Sequence, residues 1–276
     1  MSCSPQSDRN DARTGCVKTE VSRPESDPGT RRLDLDGAVN IRDLGGLATR
    51  DGRMTRRNRL YRGDNPGYLS DRDVETFETI GLRTVIDLRS HVERGRDRAR
   101  PLSRCVPAML HVGLQYSSNP DNAVADIFPE GVTSLQDLYV AYLTHSASEI
   151  AAVYAILASL RTLPALVHCA AGKDRTGLIA ALVLGSLGVD DDVIADDYAQ
   201  TAANIPSLIS LLATVDLQAS EHLKHLNPVI LSADGDTLLA VLEWVRAVHG
   251  SIDSYVRHCG VPDEDVSVLR HRLLET

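Results

Sequence analysis

Residues 163–185 read LPALVHCAAGKDRTGLIAALVLG, and the change of pattern within them decides the fold. An apolar run ends at Cys169, a short polar loop follows, and a second apolar run with helical spacing starts near Thr176. A strand that enters a helix through a tight turn aims backbone N–H groups at one point, with the positive end of a helix dipole behind them. Such a turn is a seat for an anion. Ala170, Ala171 and Gly172 leave the backbone open to a ligand, and Gly172 can take a positive φ without a Cβ penalty. Fully extended, the loop would hold Cys169 about 20 Å from Arg175. Wrapped around a tetrahedral anion, it lets the two side chains face the same atoms.

Arg175 offers a forked pair of donors to two oxygens of a phosphate-like anion, a geometry lysine cannot match. Cys169, beside the helix N-terminus and the guanidinium, is expected as a thiolate at neutral pH, an in-line nucleophile below the bound anion. Taken alone, a cysteine on an apolar strand is inert core. The succession Lys173, Asp174, Arg175 argues otherwise, because an unpaired charge in a buried turn is expensive to desolvate. A nucleotide P-loop is excluded, since Asp174 stands where that motif needs Ser or Thr after Gly-Lys.

Working outward, short β-type runs precede this unit at 38–46, 59–64, 83–90 and 109–114. Between them, SDRDVETFETIGL (70–82) predicts a helix capped by Ser70 and Gly81. Residues 115–131 read as a long loop, and 134–146 and 146–160 as helices. Helical patterns follow the central unit at 190–202, 207–226, 236–250, 251–260 and 263–275. The expected fold is α/β, a mostly parallel central sheet flanked by helices with a helical C-terminal portion. Residues 1–32, rich in Ser, Asp, Arg, Pro and Gly, are expected to form a disordered tail, and 33–276 a single catalytic domain.

Composition narrows the function. Aromatic residues are only 4% of the chain, which favours an aliphatic α/β core over an aromatic-rich β-sandwich. A formal net charge of −9 gives no global field to draw in nucleic acid. The cysteines, Cys3, Cys16, Cys105, Cys169 and Cys259, are scattered and form no CxxC, so neither a disulfide framework nor a zinc cluster is indicated. No signal-peptide core or transmembrane segment is read, and a cytoplasmic location is expected, with non-standard secretion left open. Oligomeric state stays open.

HCAAGKDRTG (168–177) resembles the His-Cys-x5-Arg-Ser/Thr signature of cysteine-dependent protein tyrosine phosphatases. Its wording is similar to the bacterial branch typified by mycobacterial protein tyrosine phosphatase B, and NIRDLGG (40–46), LYRGD (60–64) and VIDLRS (85–90) resemble that branch in the same order. The resemblance implies a cofactor-free, metal-independent hydrolase acting through a cysteinyl-phosphate on a phosphorylated protein or a phosphoinositide. It implies Cys169 as nucleophile, and a cradle of Ala170, Ala171, Gly172, Lys173, Asp174 and Arg175. It assigns Asp174 as the proton donor to the leaving group. Asp87, at the C-terminal end of a predicted strand, is the rival for that role; its bland alternative is an ion pair with Arg89 or Arg175.

Thr176 is expected either to donate to the Cys169 sulfur or simply to cap the helix. His168 should point away from Cys169 and order the loop. Lys173 is expected to overhang the site and meet a second phosphate, or to be a solvated lysine. Asp43, Arg62 and Asp64 are read as structural. His222 and His225, three apart on a predicted helix, could chelate a metal but have no Cys or carboxylate partner fixed by sequence, and the acidic run 190–197 lacks the glycine and spacing of a calcium loop. Other enzyme chemistries of a Cys-x5-Arg loop, sulfur transfer or arsenate reduction, and a phosphate-binding module without turnover are the alternatives.

Overall fold

A computed structural model describes residues 1, 31–97, 100–115, 133–225 and 228–276. The site is positioned by a five-stranded sheet of β1 (Arg42–Asp43), β2 (Leu60–Gly63), β3 (Thr84–Asp87), β4 (Ala108–His111) and β5 (Ala165–His168), in the order β1-β2-β5-β3-β4. All neighbours are parallel except the β1–β2 pair. The register aligns Gly63, His168 and Asp87 across the three inner strands, so the loops that follow them leave the sheet side by side. Sites in open α/β sheets gather at such carboxyl ends.

Both faces of the sheet are covered, as parallel sheets require. Tyr61, Val85 and Leu166 pack on one side with Phe77 of α1 (Asp71–Ile80) and with Leu102. Ile86, Val167 and Cys169 face the other, larger core, together with α3 (Leu135–His145), α4 (Ala147–Ala158) and α5 (Asp174–Ser186). Helix α5 is buried on almost every side, which explains why its sequence is apolar all round. Ser70 caps α1 through a reciprocal bond set with Asp73, and Gly81 ends it at φ 70°, both as the sequence predicts.

A short helix, α2 (His91–Gly95), follows β3. The C-terminal portion consists of α6 (Asp191–Val215), α7 (Leu217–His225), α8 (Pro228–Leu231), α9 (Gly235–His249), α10 (Ile252–His258) and α11 (Asp263–Leu273). Among the described residues no single helix is long and apolar enough to cross a membrane.

Four expectations need correction. Helix α5 starts at Asp174, two residues before Thr176, with Lys173 as its cap. The break expected between residues 202 and 207 is absent: α6 runs through Pro206, because burial of Ile205, Leu208 and Leu212 outweighs the lost bond and ring clash. The chain breaks instead at Asp216, whose Oδ1 accepts from the Ala219 amide at 3.1 Å. At the other end, Arg31 and Arg32 are packed, not tail: the Asp43 amide donates to the Arg31 carbonyl at 2.8 Å, and Arg32 bridges Arg42. Residues 2–30, and 116–131 of the expected loop, lie outside the described residues.

Candidate active site

The turn from β5 into α5 is held from outside by its carbonyls. The Asn65 amide donates to the Ala170 carbonyl at 3.0 Å, Asn40 Nδ2 to that of Ala171 at 2.8 Å, and Arg62 Nη2 to that of Gly172 at 2.9 Å. In a trans peptide the N–H points opposite to the C=O. The amides of Ala171, Gly172 and Lys173 therefore face away from these partners, into the turn. Gly172 has φ 69°, and a Cβ there would lie 2.4 Å from the Gly63 carbonyl carbon, so only glycine fits against β2. Asp64 steadies the neighbouring segment by accepting from the amides of Val39 and Asn40, and Asp43 does so for Gly45 and Asn58. Burial pushes the Asp64 carboxyl up to about 6.

Cys169 is buried at the start of this turn, and Arg175 is buried in the first turn of α5. Arg175 Nη1 and Nη2 each donate to a Glu93 oxygen at 2.6 Å, leaving Nε buried without a partner. Glu93 comes from α2, where its Oε2 also accepts from the Ser90 amide at 2.8 Å. Burial pushes the Glu93 carboxyl up, but the bonds and charge of Arg175 outweigh it and hold it at about 2. One edge of the guanidinium is thus fixed while the Nε edge keeps an unspent donor. Glu93 was not singled out from sequence, although Ser90-x-x-Glu93 has capping-box spacing.

Asp174 opens α5 and is only partly exposed. Its Oδ1 accepts from the Tyr139 hydroxyl at 2.6 Å and lies 2.7 Å from Lys173 Nζ. Lys173 departs from both expectations. It is buried, and its Nζ also donates to the carbonyls of Ile230 and Ser232 at 2.6 and 3.0 Å. It ties the turn to α8 and its C-terminal end instead of overhanging the site.

Asp87 sits on the other face. By strand alternation it and His168 share the side of Val85 and Leu166, away from Cys169. Both of its oxygens accept from Arg89, at 2.9 and 2.7 Å, and Arg89 in turn is bound by Asp97. Burial pushes the Asp87 carboxyl up, yet the Arg89 bonds and the nearby charges hold it at about 2. Held by Arg89 on the face of the sheet opposite Cys169, Asp87 forms the ion pair with Arg89 that stands as its alternative reading. His168 lies as expected, Nδ1 3.1 Å from the Cys169 carbonyl, and burial pushes it down to about 4. Thr176 differs on both counts: it lies inside α5, and its buried hydroxyl reaches no partner, Cys169 Sγ included.

Beneath the turn lies a buried charge cluster absent from the sequence reading. Asp197 Oδ2 accepts from Arg62 at 2.8 Å, and Oδ1 from Arg42 at 3.2 Å and Arg31 at 2.6 Å. Burial pushes Asp197 up, but the three arginines hold it well below the usual carboxylate range. Burial and Arg62 push Arg42 down to about 10. Nothing in the run DDDVIADD separates Asp197 from its solvated neighbours except its place on α6. Among the described residues no group of three or more His, Cys, Asp or Glu side chains is placed to hold a metal ion.

A mostly parallel sheet whose central strand turns through a small-residue loop into a buried helix, with cysteine and arginine at the loop's two ends, is an α/β protein with a strand-turn-helix seat of the kind that suits an anion. The particular family follows from comparison. The tyrosine phosphatase family model matches residues 33–275, and the chain belongs to that family. It is a phosphoric monoester hydrolase of the tyrosine phosphatase kind.

The chain is 30% identical over 274 residues to a candidate tyrosine-protein phosphatase of Cupriavidus necator, covering 95% of this chain and 97% of that one. It is 28% identical over 281 residues to the triple specificity protein phosphatase PtpB of Mycobacterium tuberculosis, covering 87% and 98%. Among solved structures, the core catalytic domain of a PP-IP phosphatase from S. cerevisiae is 16% identical with TM-score 0.34, over 52% of this chain and 75% of that one.

Proposed function

We propose that residues 33–276 form a single catalytic domain that hydrolyses phosphotyrosine through a cysteinyl-phosphate, without a metal. The Cys169 thiolate attacks phosphorus, the bond to the tyrosyl oxygen breaks, and Asp174 gives that oxygen a proton. Water then attacks phosphorus, Asp174 takes its proton, and the S–P bond breaks to release inorganic phosphate and thiolate. Arg175 and the inward amides stabilise the charge on the equatorial oxygens in both steps.

The observation that carries this reading is the buried, unpartnered Arg175 Nε in a turn that starts at Cys169. A buried orphan donor on a charged group is costly unless a ligand satisfies it, and a phosphate oxygen does so. Breadth towards phosphoserine, phosphothreonine or phosphoinositides is supported by the resemblance and by the "triple specificity" in the mycobacterial relative's name. A second phosphate recognised by Lys173 would first have to displace the carbonyls of Ile230 and Ser232. A reducing cytoplasm suits an enzyme whose Cys105, Cys169 and Cys259 are free thiols.

The test is hydrolysis of a chromogenic aryl phosphate in the presence of EDTA. Wild type should turn over, and Cys169→Ser should lose at least about a thousandfold, as expected for loss of a nucleophile. Full activity in the variant would remove the proposal.

A further inference from the structure

Asp174 is held by a chain of contacts that begins on α6 and crosses to α3. Gly177 lacks the Cβ that would lie 2.9 Å from the Tyr198 ring, so Tyr198 can pack close against α5. Tyr198 meets Tyr139 edge to face, with ring centroids 6.3 Å apart and hydroxyls 2.6 Å apart. The Tyr139 hydroxyl in turn lies 2.6 Å from Asp174 Oδ1. A phenol has one proton, so a Tyr139 that donates to the carboxylate must accept from Tyr198. Both rings are fully buried, and burial together with the Asp174 charge pushes the Tyr139 phenol well above its ordinary value. Tyr139 therefore stays a donor. Lys173 Nζ reaches the same oxygen at 2.7 Å, while no hydrogen bond from the described residues reaches Oδ2.

We propose that Tyr139, oriented by Tyr198, is a positioning residue for Asp174: it pins Oδ1 and leaves Oδ2 as the oxygen that exchanges the proton. This rests on Asp174 being the proton donor. A carboxyl group otherwise turns freely about its last torsion, and proton transfer depends on geometry before acidity. The bond also strengthens as Asp174 becomes anionic. When the P–O bond breaks, the Oδ2 proton passes to the leaving oxygen, and Tyr139 keeps its own proton throughout.

The test compares kcat/KM for phenyl phosphate, a poor leaving group, with that for dinitrophenyl phosphate, a good one, in Tyr139→Phe and Asp174→Asn. Losing one hydrogen bond to a charged group should lower the phenyl phosphate value about tenfold in Tyr139→Phe. The dinitrophenyl value should stay within about twofold, since that leaving group needs no proton. Inhibition by inorganic phosphate should be unchanged.

Equal losses on both substrates in Tyr139→Phe would overturn the inference, because a packing role would not distinguish leaving groups. If Asp174→Asn is selective and Tyr139→Phe is not, the inference alone fails. If Asp174→Asn itself loses equally on both, the proton-donor reading fails and takes this inference with it. Should Tyr139→Phe not fold, Tyr198→Phe replaces it. That variant leaves Tyr139 without its orienting donor, and a selective loss of about threefold is expected for one neutral hydrogen bond. Absence of selectivity there would equally overturn the inference.

Discussion

Arg175 shows how one residue can be both held and available. Glu93 takes the two Nη donors, and the Nε edge stays open. Glu93 is held at about 2, below the value near 4.3 of an unperturbed glutamate. A depressed carboxyl stabilises the fold above the unfolded value, and that contribution is lost as pH falls towards the folded one. Glu93→Gln should therefore melt below wild type at pH 7, with the gap closing between about pH 4.5 and pH 2. A gap in melting temperature that does not change with pH would contradict the pairing. Cys169 and Arg175 are legible in the sequence because their spacing is local. Tyr139 is not, because 35 residues separate it from Asp174 and only the packing of α3 against α5 brings them together.

At the scale of elements, the turn between β5 and α5 depends on β2. Gly172→Ala would force a Cβ into the Gly63 backbone and strain a positive φ. Displacing reacting groups by about 1 Å can cost about a hundredfold in rate. The variant should therefore fall about that far or further in kcat/KM, read against a circular dichroism spectrum that keeps its helical signal. An active Gly172→Ala enzyme would contradict the described turn. The strand-turn-helix pattern was readable because apolar alternation, small residues and a charged loop all agree there. Helix α6 departs from the sequence expectation at Pro206, where local propensity opposes the helix and tertiary burial decides it.

For the whole molecule, Asp197 is the joint. It links α6 to β1, β2 and the segment at Arg31, and Arg62 passes the connection on to the Gly172 carbonyl. Removing one partner from a buried charge cluster typically costs about 3–5 kcal/mol. Asp197→Asn should lose that much in urea unfolding, whereas Asp51→Asn, which breaks an exposed pair with Arg53, should leave the midpoint where it was. Equal effects would show that the cluster is not the structural centre described. The α/β class and parallel sheet were readable from the order of strands and helices. The burial of Arg42, Arg62 and Asp197 was not, since a charged residue announces no depth in sequence.

The central proposal is that the Cys169 thiolate carries the phosphoryl group between two in-line displacements. The most direct measurement is rapid denaturation during turnover of a radiolabelled aryl phosphate with EDTA present, followed by peptide mapping. The account predicts label on the peptide that contains Cys169 and none in Cys169→Ser. Label on another residue of an active enzyme, or turnover that leaves the protein unlabelled at every time point, would contradict it.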